Sequence, residues 1–370
     1  MTIPVRIVPS RPPERTRQGR RERDPSGPER PVEILAFGVQ TDERPLLEAA
    51  FDAVPGGPSV RCLAAALDHD TAPLAAGYEV VSSSVNSVLD AGVLAVLARG
   101  GTRMVAQRST GHNNIDLDAA EELGLTVARV SRYSPHSVAE FAWALALAVE
   151  RRVVRAVHRT RDFDFRLDGL MGRDLHGLTV GVAGTGKIGE CFARIAHGFG
   201  CRLLGWDVAE NPACTALGMK YADRETFFSE ADVVSLHVPL VPATHHLVDA
   251  RALALMKDDA VLVNTGRGGL IDSAALVETL RRGRLRGVAL DVYEEEAGLF
   301  FLDKSLEVMT DDTLARLMTF SHVLVTSHQA YFTRDAVGQI VGATAGNVRD
   351  WLAGRAGENV LVPAGRPPSR

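Results

Sequence analysis

Residues 178–207 read "LTVGVAGTGKIGECFARIAHGFGCRLLGWD". An apolar run, a glycine-rich turn, a stretch of helical periodicity and a second apolar run follow one another, which is the pattern of a strand–helix–strand unit. Gly184, Gly186 and Gly189 spell G-x-G-x-x-G directly after the first strand, and Asp207 ends the second, eighteen residues beyond the last glycine. Gly184 permits a tight turn, Gly186 lets the backbone approach a pyrophosphate, and Gly189 lets the helix pack close to the strand. The helix opening at Lys187 and Ile188 then offers unpaired N–H groups to phosphate. A carboxylate at Asp207 accepts hydrogen bonds from a ribose 2'-hydroxyl and repels a 2'-phosphate, so the pattern predicts NAD (NADH) rather than its 2'-phosphorylated form.

Toward the C-terminus, "ADVVSLHVPL" (231–240), "AVLVNTGRGG" (260–269), "GVALDVY" (287–293) and "HVLVTSHQA" (322–330) supply further apolar strands, each ending in polar or glycine-rich text. Those ends are expected to line one edge of a parallel sheet, where ligands bind. Toward the N-terminus the same alternation continues: "VEILAFG" (32–38), a helix near Pro45, "VRCLAAAL" (60–67), "GYEVVSSS" (77–84), a strand to Gln107, the loop "RSTGHNN" (108–114), a helix from Asp116 and a strand from Leu125 to Val130. A long helix is predicted from about Ser134 to Val157. The whole reads as an α/β protein.

With 370 residues, 46% of them apolar, the chain can bury two substantial cores. A formal net charge of -5 gives no reason to expect nucleic acid or an anionic membrane as partner, and points to a small ligand. The four cysteines show no C-x-x-C spacing, so neither a disulfide framework nor a zinc cluster is expected; no metal is predicted, and a reducing cytoplasm fits. The longest apolar run, Phe141 to Val149, is about half of what a bilayer span requires. Residues 1–30 mix arginine, proline and acidic side chains with almost no large apolar residue and are expected to be a disordered extension.

With "GTGKIG", "SLHVPL", "VNTGRGGLID", "LDVYEEEAGLFFLDKS", "VLVTSHQAYFT" and "GHNNIDLDAAEELGL" in view, the chain resembles the D-2-hydroxyacid dehydrogenases, and most of all their fermentative D-lactate dehydrogenase branch, from about residue 32 to residue 355. The resemblance implies two Rossmann-like domains, with a cofactor domain (132–330) inserted into a flavodoxin-like substrate domain (32–131 and 331–370). It also implies a homodimer or higher homo-oligomer, and a small-molecule 2-keto or 2-hydroxy acid as substrate. The family's catalytic arginine, glutamate and histidine carry over to Arg267, Glu296 and His328. Of the three consecutive glutamates, Glu296 is the one five residues beyond Asp291, while Glu294 and Glu295 are expected to form a solvated acidic turn.

The chemistry required is a hydride on C2, a proton on its oxygen and a grip on the carboxylate. Arg267 supplies a permanently charged donor fork. An imidazole can exchange a proton in the physiological range, so His328 is expected to deliver the proton, and Glu296 to favour the imidazolium and set which nitrogen faces substrate. By resemblance, backbone N–H groups of Thr110 and Gly111 receive the substrate carboxylate, Tyr133 and Tyr331 close the pocket, and Val238, Pro239, Thr244, Thr265, Gly266 and Asp291 flank the cofactor. His237 is read as structural. Gly266, Thr244, Ser131 and Phe141 depart from the family's usual residues. Alternatives kept open are a reductase for a bulkier acid such as phenylpyruvate or 2-ketoisocaproate, one for hydroxypyruvate, or a non-enzymatic NAD-sensing corepressor.

Overall fold

The computed structural model describes residues 32–54, 57–355 and 357–363. The extension expected to be disordered, residues 1–30, lies outside the described residues, as does the end of the chain from 364.

Two sheets organise residues 32–363. The first holds β1 (Glu33–Ala36), β2 (Ser59–Cys62), β3 (Val80–Ser83), β4 (Met104–Gln107), β5 (Thr126–Ala128) and, from the far end of the chain, β13 (Val360–Val362). Their order is β13-β5-β4-β3-β1-β2, all parallel except the β13 edge. The second holds β6 (Thr179–Ala183), β7 (Arg202–Trp206), β8 (Lys220–Tyr221), β9 (Val233–Leu236), β10 (Val261–Asn264), β11 (Gly287–Leu290) and β12 (Val323–Val325). Its order, β12-β11-β10-β9-β6-β7-β8, is parallel throughout and reverses direction between β6 and β9, the crevice where doubly wound sheets bind nucleotides. The fold class expected from the sequence is the one observed.

The central strands β3, β4, β9, β10 and β11 are buried at every position, as helices on both sheet faces require. The helices are started by side-chain caps: Asp90, Asp116, Asp223, Asp249, Asp272 and Asp311 each accept a backbone N–H of the first turn. Each such cap contributes about 1 kcal/mol.

The single helix expected over Ser134–Val157 is two, Pro135–Glu150 and Val153–Arg161. The break comes at Arg152, which takes a left-handed conformation (φ 54°). Just before it the fully buried Glu150 carboxylate accepts Arg173 at 2.9 Å and Arg286 at 2.6 Å. The strand expected over Val60–Leu67 ends at Cys62, because Leu63 and Ala65 bond the irregular segment around Gly38 and Val39 instead of continuing the ladder.

Candidate active site

Gly184 follows β6 at φ +89°, and a Cβ there would strike the backbone of His237 and Val238 at 2.6–2.7 Å, so only glycine lets this turn cross the end of β9. A Cβ on Gly189 would overlap the Gly184 carbonyl, whereas one on Gly186 would meet nothing within 4 Å. The turn is therefore closed on its protein side and open on its outer side, above the start of helix Lys187–Gly198, which is the cradle a pyrophosphate needs. Asp207, at the end of β7, accepts Thr185 N–H at 2.6 Å and the Thr185 hydroxyl at 3.0 Å. The Thr265 hydroxyl, beyond β10, is buried and has no hydrogen-bond partner among the described residues, and the residue lines the cleft with Gly266, Val238, Pro239 and Ile188. An orphaned buried hydroxyl at that place, with the open glycine turn, fits a bound dinucleotide.

Among the described residues the cleft wall also carries Lys187, Arg129, Arg132 and Arg267 and no carboxylate, a field suited to an anionic cofactor and an anionic substrate. Thr244 is not brought to this wall; its hydroxyl bonds the Pro239 carbonyl at 2.6 Å and so closes its own turn. His237 bonds Ser235 at 2.9 Å and lies 5.0 Å from the Phe192 ring, and burial drives its pKa down to about 3.

Three strand ends converge on the reacting groups. Arg267 follows β10, with Asn264 fixing the turn through a 2.9 Å bond to the Arg267 carbonyl. Gly268 is needed beneath it, because a Cβ there would collide with the Tyr293 backbone. His328 follows β12 in a left-handed conformation (φ 56°). That unusual backbone is held by its own N–H to the Asp291 carbonyl at 2.6 Å, and by the Asp291 carboxylate, which accepts Thr326 Oγ1, Gln329 N–H and Ala330 N–H at 2.5–3.0 Å. Asp291, expected beside the cofactor, is fully buried here and serves the turn that carries His328.

Glu296 Oε1 accepts from His328 Nδ1 at 2.8 Å, and Glu296 Oε2 accepts Tyr293 N–H at 3.0 Å. With Nδ1–H held by a carboxylate, Nε2 is the nitrogen left for exchange with a substrate. The solvated turn expected for the two preceding glutamates is half right. Glu295 is exposed, but Glu294 is partly buried and bonded to His246 Nε2 at 2.5 Å and to Ser273 N–H at 3.3 Å. The tight return from Tyr293 to Glu296 turns Glu294 inward toward the 244–246 turn.

Arg267 and His328 share a cavity of about 60 Å³ with Thr110, Gly111, Tyr133 and Tyr331. Gly111 is pressed against the guanidinium, leaving no room for a Cβ. The N–H groups of Thr110 and Gly111 donate to no backbone carbonyl among the described residues, so they are free to receive an anion. Burial raises the pKa of both Tyr133 and Tyr331, keeping them as neutral hydroxyls. Sequence reading missed the far wall of this cavity. Arg108 is buried there, donating to Glu43 at 2.7 Å, Ser82 at 2.9 Å and the Phe37 carbonyl at 2.6 Å, and Gln40, Asn86 and Phe301 complete it. No spacing signal could have found residues drawn from segments so far apart.

Comparison with known proteins gives consistent matches. Residues 143–330 match the model of the D-isomer specific 2-hydroxyacid dehydrogenase NAD binding domain. The chain is 45% identical over 333 residues to the D-lactate dehydrogenase kk1H of Curvularia clavata, covering 90% of this chain and 92% of that one. The apo-structure of D-lactate dehydrogenase from Escherichia coli superposes with a TM-score of 0.82 at 38% identity, covering 90% of this chain and all (100%) of the other. The structure reported as the pyruvate reductase of Chlamydomonas reinhardtii superposes with a TM-score of 0.83 at 36% identity, covering 91% and 98% of the two chains.

Proposed function

The chain belongs to the D-2-hydroxyacid dehydrogenase family and is an NAD-dependent D-2-hydroxyacid dehydrogenase, and we propose that its reaction is the reversible reduction of pyruvate to D-lactate. The observation that carries the choice of substrate is the aromatic wall around His328 in the cavity it shares with Arg267, with the Phe301 ring at 5.8 Å and the Tyr331 ring at 6.5 Å from the imidazole. That crowding favours a small keto acid over a bulkier one.

In this reading the residues divide the work as follows. Bound NADH supplies the hydride. Arg267 holds the substrate carboxylate and polarises the keto group, with the Thr110 and Gly111 N–H groups completing the cradle. His328 gives a proton from Nε2 to the C2 oxygen, while Glu296 keeps Nδ1–H in place and stabilises the imidazolium. Asp291 positions the histidine turn. Tyr133, Tyr331 and Phe301 exclude water. On the cofactor side, Gly184, Gly186, Lys187, Ile188 and Gly189 receive the pyrophosphate, Asp207 the ribose, and Val238, Pro239, Thr265 and Gly266 flank the ring end.

A second substrate, hydroxypyruvate, is favoured by one feature: the side-chain amides of Gln40 and Asn86 line the far wall, and the Asn86 nitrogen donates to nothing among the described residues. The domain limits proposed are 32–131 with 331–370 for substrate, and 132–330 for cofactor. A homodimer is part of the same proposal, with a second copy covering the exposed Phe163, Phe165, Leu167 and Met171 beside helix Val153–Arg161. No described helix is long and apolar enough to cross a membrane, and a cytoplasmic location is proposed with it.

The test is NADH oxidation by the purified protein with pyruvate, hydroxypyruvate and phenylpyruvate in parallel, chiral analysis of the product, and Arg267→Ala as control. Arginine-dependent turnover of pyruvate to D-lactate with the highest kcat/KM of the three is expected. A preference for phenylpyruvate would overturn the choice of substrate.

A further inference from the structure

We propose that His245, His246 and Glu294 form a binding site for a divalent transition-metal ion of the zinc type. The three side chains each offer one donor atom, and these atoms all lie within 4.8 Å of one another. His246 Nε2 and Glu294 Oε1 are already 2.5 Å apart, and the two imidazole rings stack at 3.9 Å with 26° between their planes. Two imidazoles and a carboxylate are a donor set that zinc and its neighbours favour over magnesium or calcium.

Geometry supports the reading. A tetrahedral ion with bonds of about 2.0–2.1 Å needs donors about 3.4 Å apart. The His246–Glu294 pair is inside that separation and opens slightly as the ion replaces the proton between them. His245 is exposed, so its ring can turn to close the remaining distance. The fourth position is left to water.

Outer contacts hold the ligands as metal sites require. Glu294 Oε2 accepts Ser273 N–H at 3.3 Å, so the carboxylate is oriented by a group that is not a ligand. His246 N–H bonds the Gly269 carbonyl at 2.8 Å, which fixes the histidine turn to the segment that follows Arg267. Among the described residues the only cationic partner of Glu294 is His246, so no arginine or lysine competes for its charge.

The placement gives the site a consequence. The ion would join the 244–246 turn to the 293–296 return that carries Glu296, next to the 266–270 loop that carries Arg267. It would brace two of the three proposed catalytic groups without touching the third. Glu294 lies 48 residues beyond His246 in sequence, so no short ligand-spacing motif marks the set.

The test uses full-length, tag-free, metal-stripped protein titrated with Co²⁺, without substrate or NADH, so that its outcome is separate from that of the proposed reaction. One equivalent bound with visible ligand-field absorption, displaced by Zn²⁺, is the expected result. His245→Ala should weaken binding by at least about tenfold, and Glu294→Gln should do the same. Because Glu294 also ties two segments together, the exposed His245 carries the test if the Glu294 variant fails to fold. Absence of saturable one-to-one binding, or an affinity unchanged in His245→Ala, would overturn the proposal.

Discussion

Replacing Gly111 with alanine isolates the contact on which the proposed carboxylate cradle depends. A Cβ at this position would fall on the Arg267 guanidinium, while backbone strain is not at issue because Gly111 has no positive φ. The colliding atoms are the far end of a flexible side chain, so the protein should fold with little change in stability, and the guanidinium should retreat. A retreat of about 1 Å at a positioning group costs about 10²-fold in rate, equivalent to about 2.7 kcal/mol. The loss should appear mainly in kcat/KM for the keto acid, with NADH affinity unchanged, since the three atoms nearest a Cβ at Gly111 all belong to Arg267. Steady-state kinetics at saturating NADH, fluorescence titration of NADH and a thermal melt measure the three quantities. A folded Gly111→Ala protein with wild-type kcat/KM would refute the cradle.

Other outcomes follow from the same geometry. His328→Gln should lower kcat by about 10²–10⁴-fold in both directions, with NADH binding retained. In the unaltered protein, reduction should fall as pH rises while oxidation should rise, and parallel pH profiles would count against His328 as the proton donor. His237 takes a proton near pH 6.5 when unfolded but only at about 3 when folded. The unfolded state therefore binds more protons between those values, and stability should drop as pH falls, by about 2 kcal/mol at pH 5. In His237→Gln, chemical denaturation at pH 7 and pH 5 should show that part of the loss removed, and an unchanged difference would refute the assignment. Gly266→Ser should be tolerated to within about 0.5 kcal/mol, because a Cβ there meets its neighbours only at 3.4–3.5 Å. A thermal melt showing a larger loss would mean that the loop preceding Arg267 is tighter than its contacts indicate.

The cofactor half of the site was legible because its logic is local. A tight turn, an open backbone and a close helix packing must occur within a few residues, so Gly184, Gly186 and Gly189 are written together, with Asp207 one helix and one strand away. Helix limits were less legible: nothing in "RRVVRAVHR" announces the left-handed Arg152 that splits the long helix, because the buried Glu150 cluster that accompanies it draws Arg173 and Arg286 from elsewhere.

By itself, then, the sequence determined the doubly wound α/β class, since strands buried on both faces must be apolar throughout and must end in turns that expose backbone at one sheet edge. The family resemblance singled out Glu296, but only the tertiary structure gives the physical reason why that glutamate and not its neighbours meets the histidine. Glu294 and Glu296 are two residues apart in the same acidic run, and a single return at Tyr293 sends one to His246 and the other to His328. The same holds for the wall of Arg108, Glu43 and Asn86 that limits the substrate cavity. Side-chain partners of that kind are chosen by packing between distant segments, and one-dimensional spacing carries no record of it.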